Sequence, residues 1–290
     1  MQRTKKKNFR GFLYILPSFT LILIFSVIPI LMNIYFSFTK YNIIQTPEWI
    51  GLANYSRMIQ DYYVKDSLKN TIVYTLITVP FQTIGALLIA AILAELFRNN
   101  FGNFVKSSLF VPTVASGILV GTLWFLFLAP RGVVNEVLNF FHFPSITWLG
   151  GKYSSMLSIC MVNIWKNVGY FLVIYYAGIM DIPKNLYEAA KIDGANQIQC
   201  FKNITLPSLK NITYLVLTLG IIWSFQVFDL VYIMTGGGPG TSTITLVLTI
   251  YNAAFKEYNM GYASAIALLL FIFVLILNII QKRFFKEEEC

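Results

Sequence analysis

Within the long apolar stretches of this 290-residue sequence only two side chains carry a charge, Lys166 and Asp229. At the centre of a membrane helix such a group costs about 2.5–3.5 kcal/mol, which makes each a functional candidate by default. The two could pair with each other; equally, Lys166 could extend toward an interface while Asp229 reaches the outer edge. Polar and aromatic groups gather around both: Asn163, Trp165, Asn167 and Tyr170 near the first, Trp223, Ser224 and Gln226 near the second. This inventory suits recognition better than bond-making. The single histidine, His142, lies outside the apolar stretches, no H-E-x-x-H or G-x-S-x-G pattern occurs, and no carboxylate pair stands ready for acid–base work. The glycine run Thr235-Gly236-Gly237-Gly238-Pro239-Gly240 lacks the lysine of a phosphate-cradling loop, and Gly151-Lys152 has Ile146 where that motif needs its first glycine. Cys160, Cys200 and Cys290 match neither a zinc site nor a disulfide framework, so free thiols and no metal are expected.

The elements that must position these groups follow from composition. Hydrophobic residues make up 57% of the chain and charged ones 12%, against about 45–50% and about 25% in soluble domains. The apolar residues come in six runs, Phe12 to Phe38, Thr71 to Ala94, Ser107 to Ala129, Tyr153 to Met180, Asn211 to Met234 and Met260 to Ile280. Each reaches the roughly 20 residues that a helix needs to cross a bilayer. Their uniform apolarity excludes barrel strands, which alternate with period two. An all-α membrane protein with six transmembrane helices in one domain is therefore expected, with bends at Pro17, Pro29 and Pro80. Five basic residues in Met1 to Arg10 precede the first run as in a secretory signal, but that run exceeds the roughly 7–15 residues of a signal core and should remain as a span.

Lys and Arg accumulate on the cytoplasmic side of membrane proteins. With the amino terminus inside, the inner segments hold 14 basic residues and the outer ones 7, so both termini are expected to be cytoplasmic. The net charge of +9 is then a matter of topology, and no nucleic-acid partner is implied.

Between the fourth and fifth runs lies a polar segment, 181–210, on the expected cytoplasmic side. Lys184 to Ile192 contains good helix formers, and Gly194 suits the left-handed residue that ends a helix. A second short helix should begin near Ala195 and stop before Pro207. Leu186, Ala190, Ile198 and Phe201 offer apolar faces, and Glu188 has Lys184 and Lys191 at i−4 and i+3. The pattern predicts a helix-turn-helix on the inner membrane surface, shaped to dock into another protein.

This segment resembles the cytoplasmic signature of binding-protein-dependent ABC permeases: Glu188, Ala189, Ala190, then Gly194, Ile204, Leu206 and Pro207 stand at every signature position. Trp49 to Tyr55 resembles the G-L-x-N-Y element of the sugar importers in this family, Arg131 to Asn135 their R-G-x-x-N element, and Thr235 to Gly240 their T-G-G-G-P turn. The resemblance covers nearly the whole chain and is strongest to the MalF-like half of the permease pair. It implies that Glu188 contacts a separate ATP-hydrolysing subunit, while Ala189, Ala190 and Gly194 permit close packing. Sugar contacts are implied at Asn167, Tyr170, Gly220, Trp223, Ser224 and Val227, where the valine departs from the polar residue expected at its position. Sugars are held by aromatic faces and by hydrogen bonds to hydroxyls.

The family further implies a second permease subunit, two ATPase subunits and an extracytoplasmic sugar-binding protein, in a bacterial cell membrane. ATP and Mg would reside in the ATPase partner, leaving this chain no cofactor and no catalysis of its own. An anionic sugar derivative, such as a sialic acid or glycerol phosphate, is the alternative substrate. A secondary transporter is a poorer match: it commonly carries several intramembrane carboxylates, and it leaves the coupling segment unexplained.

Overall fold

The computed structural model describes residues 14–286. The basic segment Met1 to Arg10, the first two residues of the first apolar run and Cys290 lie outside the described residues. The described chain falls into two compact units: residues up to Asp61 with Ile250–Leu269, and Tyr62–Thr249 with the residues from Leu270 on.

In the first unit, helix α1 (Tyr14–Ser37) turns its apolar side chains outward, as a lipid solvent requires. Within it Leu23–Val27 widens into a π turn, the Ile28 N–H donating to the Leu23 carbonyl. Pro29 follows at once, so the wide turn absorbs the donor that proline lacks. Strands β1 (Thr39–Lys40) and β2 (Glu48–Trp49) pair antiparallel. Helix α2 (Ala53–Gln60) then places the buried Asn54, whose Nδ2 donates to the carbonyls of Ser37 and Thr39 at 2.9 Å each. The Tyr55 hydroxyl is 2.7 Å from Ser37 Oγ. The G-L-x-N-Y element is thus a clamp on the end of α1.

The second unit is built on α3 (Tyr62–Leu96) and α7 (Lys152–Met180). Ala86, Ala90 and Ala94, one turn apart on α3, are buried against a core that includes Phe171, Leu172 and Tyr175 of α7. Small residues at four-residue spacing let helix backbones approach where lipid gives no hydrophobic drive. The same logic holds where α4 (Asn100–Val114) crosses α7: a Cβ on Gly169 would stand 2.0 Å from the Leu109 carbonyl oxygen.

Two of the expected spans are not continuous helices. In the run 107–129, α4 stops at Val114 and α5 (Gly117–Phe127) departs at 100°. Ala115 and Ser116 are extended, and the Ser116 hydroxyl accepts from the Leu119 N–H at 3.2 Å, so a side-chain cap starts α5 afresh. In the run 211–234, α10 (Lys210–Phe225) ends before Gln226, and α11 (Asp229–Met234) begins three residues later. At that break the Val227 carbonyl accepts from Thr245 Oγ1 at 3.2 Å, outside any helix ladder.

Helix α6 (Val133–Phe140) carries the R-G-x-x-N element, in which Asn135 is fully buried. Its Nδ2 donates to the carbonyls of Ala129, Pro130 and Ile146, and its Oδ1 accepts from the Ile146 N–H and Trp148 Nε1, all within 3.0–3.3 Å. The T-G-G-G-P turn is likewise structural: Gly236, Gly237 and Gly240 take positive φ, and Asn70 Nδ2 of α3 holds the carbonyls of Thr241 and Ile244. Helices α12 (Leu246–Lys256) and α13 (Met260–Lys286) complete the chain.

Candidate functional site

The polar segment 181–210 folds into α8 (Lys184–Ile192) and α9 (Gln197–Ser208). Gly194 stands between them at φ +79°, the left-handed geometry that a glycine adopts without a Cβ penalty. Asn196 opens α9 with a reciprocal cap: its Oδ1 accepts from the Gln199 N–H at 2.9 Å, while Gln199 Oε1 accepts from the Asn196 N–H at 2.7 Å. Contrary to the expectation, α9 does not stop before Pro207. Phe201–Thr205 forms a π turn in which the Leu206 N–H reaches back to the Phe201 carbonyl, and the helix continues past the proline to Ser208. The Tyr187 hydroxyl, 2.8 Å from Thr205 Oγ1, ties α8 to α9.

This pair presents a surface. Glu188, Ala189, Gly194, Leu206 and Pro207 are exposed, Ala190 and Ile204 half-buried. Ile192 and Ile198 are 86% and 78% exposed. Glu188 shares the wall of a cavity of about 480 Å³ with Lys184 and Lys191. Among the described residues it forms no ion pair with either, which leaves its carboxylate available outward.

A second cavity, of about 310 Å³, opens where the two helix breaks meet. Thr113 and Gly117 flank the break between α4 and α5; Gln226, Val227 and Phe228 form the one between α10 and α11. Both face α7, and Thr113 Oγ1 donates to the Lys166 carbonyl at 2.8 Å. Non-helical backbone at membrane depth is tolerated where it lines a cavity, and discontinuous helices are a recurrent way of building a transport site.

Of the residues singled out in the sequence, Lys166, Asn167, Trp223, Val227 and Asp229 line this cavity, together with Asn163 and Gln226. Asn167 Nδ2 donates to Asn163 Oδ1 at 2.9 Å. Trp223 is 37% exposed and is held by Tyr170 and Phe171, at ring-centroid distances of 5.0 and 5.5 Å. Tyr170 thus backs the indole and does not itself line the cavity. Gly220 and Ser224 face α3 instead: a Cβ on Gly220 would lie 2.9 Å from Gln82 Nε2, and the buried Ser224 hydroxyl is 3.1 Å from Thr78 Oγ1. Lys166 and Asp229 share the cavity but do not form an ion pair within 4.0 Å. Thr113, Gly117 and Phe228 escaped the sequence reading; Pro112, and a serine cap directly before Gly117, were the local signals for the break that brings the first two in.

Comparisons with known proteins agree with this architecture. Residues 63–287 match the family described as binding-protein-dependent transport system inner membrane component. The sulfoquinovosyl glycerol transport system permease protein SmoG of Agrobacterium fabrum is 35% identical, the alignment covering 96% of this chain and 90% of that protein. The trehalose/maltose transport system permease protein MalF of Thermococcus litoralis is 32% identical over 96% of this chain and 95% of its own. A chain of a bacterial ABC transporter that imports the acidic polysaccharide alginate superposes with a TM-score of 0.85 at 23% identity, covering 98% of both chains. This chain is accordingly a multi-pass membrane permease subunit, not an enzyme, and it belongs to the family of binding-protein-dependent transport system inner membrane components.

Proposed function

We propose that this chain forms half of the transmembrane pathway of an ATP-driven sugar importer, and that α8 and α9 couple it to a separate ATPase. The observation that carries the reading is the exposed helix pair in which Glu188, Ala189, Ala190, Gly194, Ile204, Leu206 and Pro207 keep every position of the coupling signature. Its bare apolar residues and unpaired carboxylate are what a docking element needs. The sugar assignment draws on the relatives transporting sulfoquinovosyl glycerol and trehalose or maltose. It is supported by a cavity that offers an indole face, Trp223, beside the amides of Asn163, Asn167 and Gln226.

In this reading both termini and the coupling pair are cytoplasmic, in a bacterial cell membrane. An extracytoplasmic sugar-binding protein delivers substrate to the outer face, and a second permease subunit completes the pathway. Two ATPase subunits, which hold ATP and Mg, close on nucleotide and move the coupling helices, so that the cavity alternates between the two sides. Tyr170 positions the Trp223 indole, and Gly220 and Ser224 seat α10 on α3.

The test is sugar-stimulated ATP hydrolysis by the assembly in lipid with its binding protein, comparing the native chain with Glu188→Lys. Loss of stimulation with all subunits still assembled supports a transmission contact at Glu188. Unchanged stimulation removes that role and with it the coupling assignment.

A further inference from the structure

We infer that the exposed face of α6 is a binding site for a membrane phospholipid with a primary amine in its headgroup: its phosphate on Arg131, its ammonium on Glu136, and an acyl chain in the apolar groove that both residues border. The inference does not depend on what the permease transports.

Helix α6 is held where two membrane segments surface. Asn135 binds the carbonyls of Ala129 and Pro130, just beyond α5, and both backbone groups of Ile146, shortly before α7. Gly132 is pressed onto the end of α5, so that a Cβ there would lie 2.4 Å from the Phe127 carbonyl oxygen. Trp148, Lys152 and Tyr153, residue types that gather at a membrane–water boundary, stand around the start of α7. The short helix is thus fixed at the boundary between lipid and water.

There it is built the reverse of a helix that faces water. Its polar Asn135 is buried, whereas Val133, Val137, Phe140 and Phe141, at helical spacing along one side, are each more than half exposed. Leu126 and Phe127, at the adjoining end of α5, are exposed too. An apolar face of this kind marks a membrane or interaction site, and an amphipathic helix at a boundary lies with that face among acyl chains. The four side chains line a groove of about 450 Å³ together with Arg131 and Glu136. Among the described residues neither of these charges forms an ion pair within 4.0 Å, although both border the same groove. A headgroup that carries both charges answers both: its phosphate accepts from the guanidinium, a pairing often made through two bonds, and its ammonium donates to the carboxylate. A protein that docks and departs would leave the apolar face bare in water between visits, whereas lipid is always at hand.

The experiment reconstitutes the complete assembly in vesicles of equal parts phosphatidylethanolamine, phosphatidylglycerol and phosphatidylcholine, extracts it in mild detergent, and identifies the retained phospholipid by native mass spectrometry. The native chain is compared with Arg131→Gln and Glu136→Lys, after assembly of each variant has been checked. The expected result is enrichment of phosphatidylethanolamine over the other two, lowered about tenfold in Arg131→Gln, as for the loss of a charged hydrogen bond. Glu136→Lys should turn the preference toward phosphatidylglycerol, a gain that a misfolded chain could not show. A photoreactive acyl chain on the retained lipid should label the peptide that holds Phe140 and Phe141. Equal retention of the three lipids, or a preference that neither substitution alters, overturns the inference. So does a cysteine at Val137→Cys that cross-links to another subunit of the assembly, which would make the face a protein interface.

Discussion

The Asp229 side chain lies against Gly117 so closely that the helix beginning there can carry no larger residue without displacing it: a Cβ would meet Asp229 Oδ2 at 2.6 Å and Asp229 Cβ at 2.8 Å. These two residues join α5 to α11 and hold the two helix breaks face to face. Gly117→Ala is therefore expected to destabilise the permease by about 1–3 kcal/mol through overpacking, and to impair transport. Asp229→Ala in the same chain should restore part of the lost stability, since it removes Oδ2 and leaves only the Cβ at 2.8 Å. A double-mutant cycle on thermal unfolding in detergent measures this; additive effects of the two substitutions would show that the contact carries no strain.

Asn135 is a hub whose loss should be felt by the whole of its loop. Asn135→Ala removes five hydrogen bonds from a fully buried side chain and strands the Trp148 indole N–H and the Ile146 N–H. We expect a loss of about 2–4 kcal/mol, as for other breaks in buried polar networks. Asn135→Asp, which keeps the acceptor and loses the donors, should fall between. Melting temperatures of the purified assembly would decide it, and a change of less than about 0.5 kcal/mol would refute the hub role.

At the start of α13, the Tyr262 hydroxyl donates to Asp61 Oδ2 at 2.6 Å while the Arg57 guanidinium lies 4.0 Å above its ring. Arg57 also pairs with Glu257 at 3.6 Å, both side chains about half exposed. Tyr262→Phe should cost about 1.5–3 kcal/mol, the worth of a hydrogen bond to a charged group. Glu257→Gln should cost under about 1 kcal/mol, because an exposed ion pair is screened by solvent. Equal effects of the two would contradict this ranking, and raised salt should erase only the smaller one.

Trp223→Ala should lower sugar-stimulated ATP hydrolysis by about tenfold, through the loss of an aromatic platform. Trp223→Phe should retain much of the activity. Tyr170→Ala is expected to act more weakly and through the same indole, since it touches Trp223 from behind at 5.0 Å. Its effect should vanish in a chain that already carries Trp223→Ala, which half-saturating sugar concentrations in the uptake assay would report.

Much of this was legible in the residues. Apolar runs long enough to cross a bilayer, and a coupling segment with every signature residue in place, depend on local composition and spacing. Helix α8 and the left-handed Gly194 follow from propensity and from the absence of a Cβ, which act over only a few positions. Hydropathy, by contrast, sums over roughly 20 residues, so the three-residue interruption at Gln226–Phe228 left no trace in it, and neither did the turn at Ala115 and Ser116. The π turn that carries α9 past Pro207 was equally silent, because it changes a hydrogen-bond register and not a residue type. Only the tertiary structure decided which of the candidate residues share a cavity. Spacing put Tyr170 and Ser224 alongside Lys166, Trp223 and Asp229, the family resemblance added Gly220, and packing turned Tyr170, Gly220 and Ser224 toward neighbouring helices. The physical reason is that a side chain's direction is set by the helix rotation that best fills the interface, a property of two elements at once and of neither sequence alone.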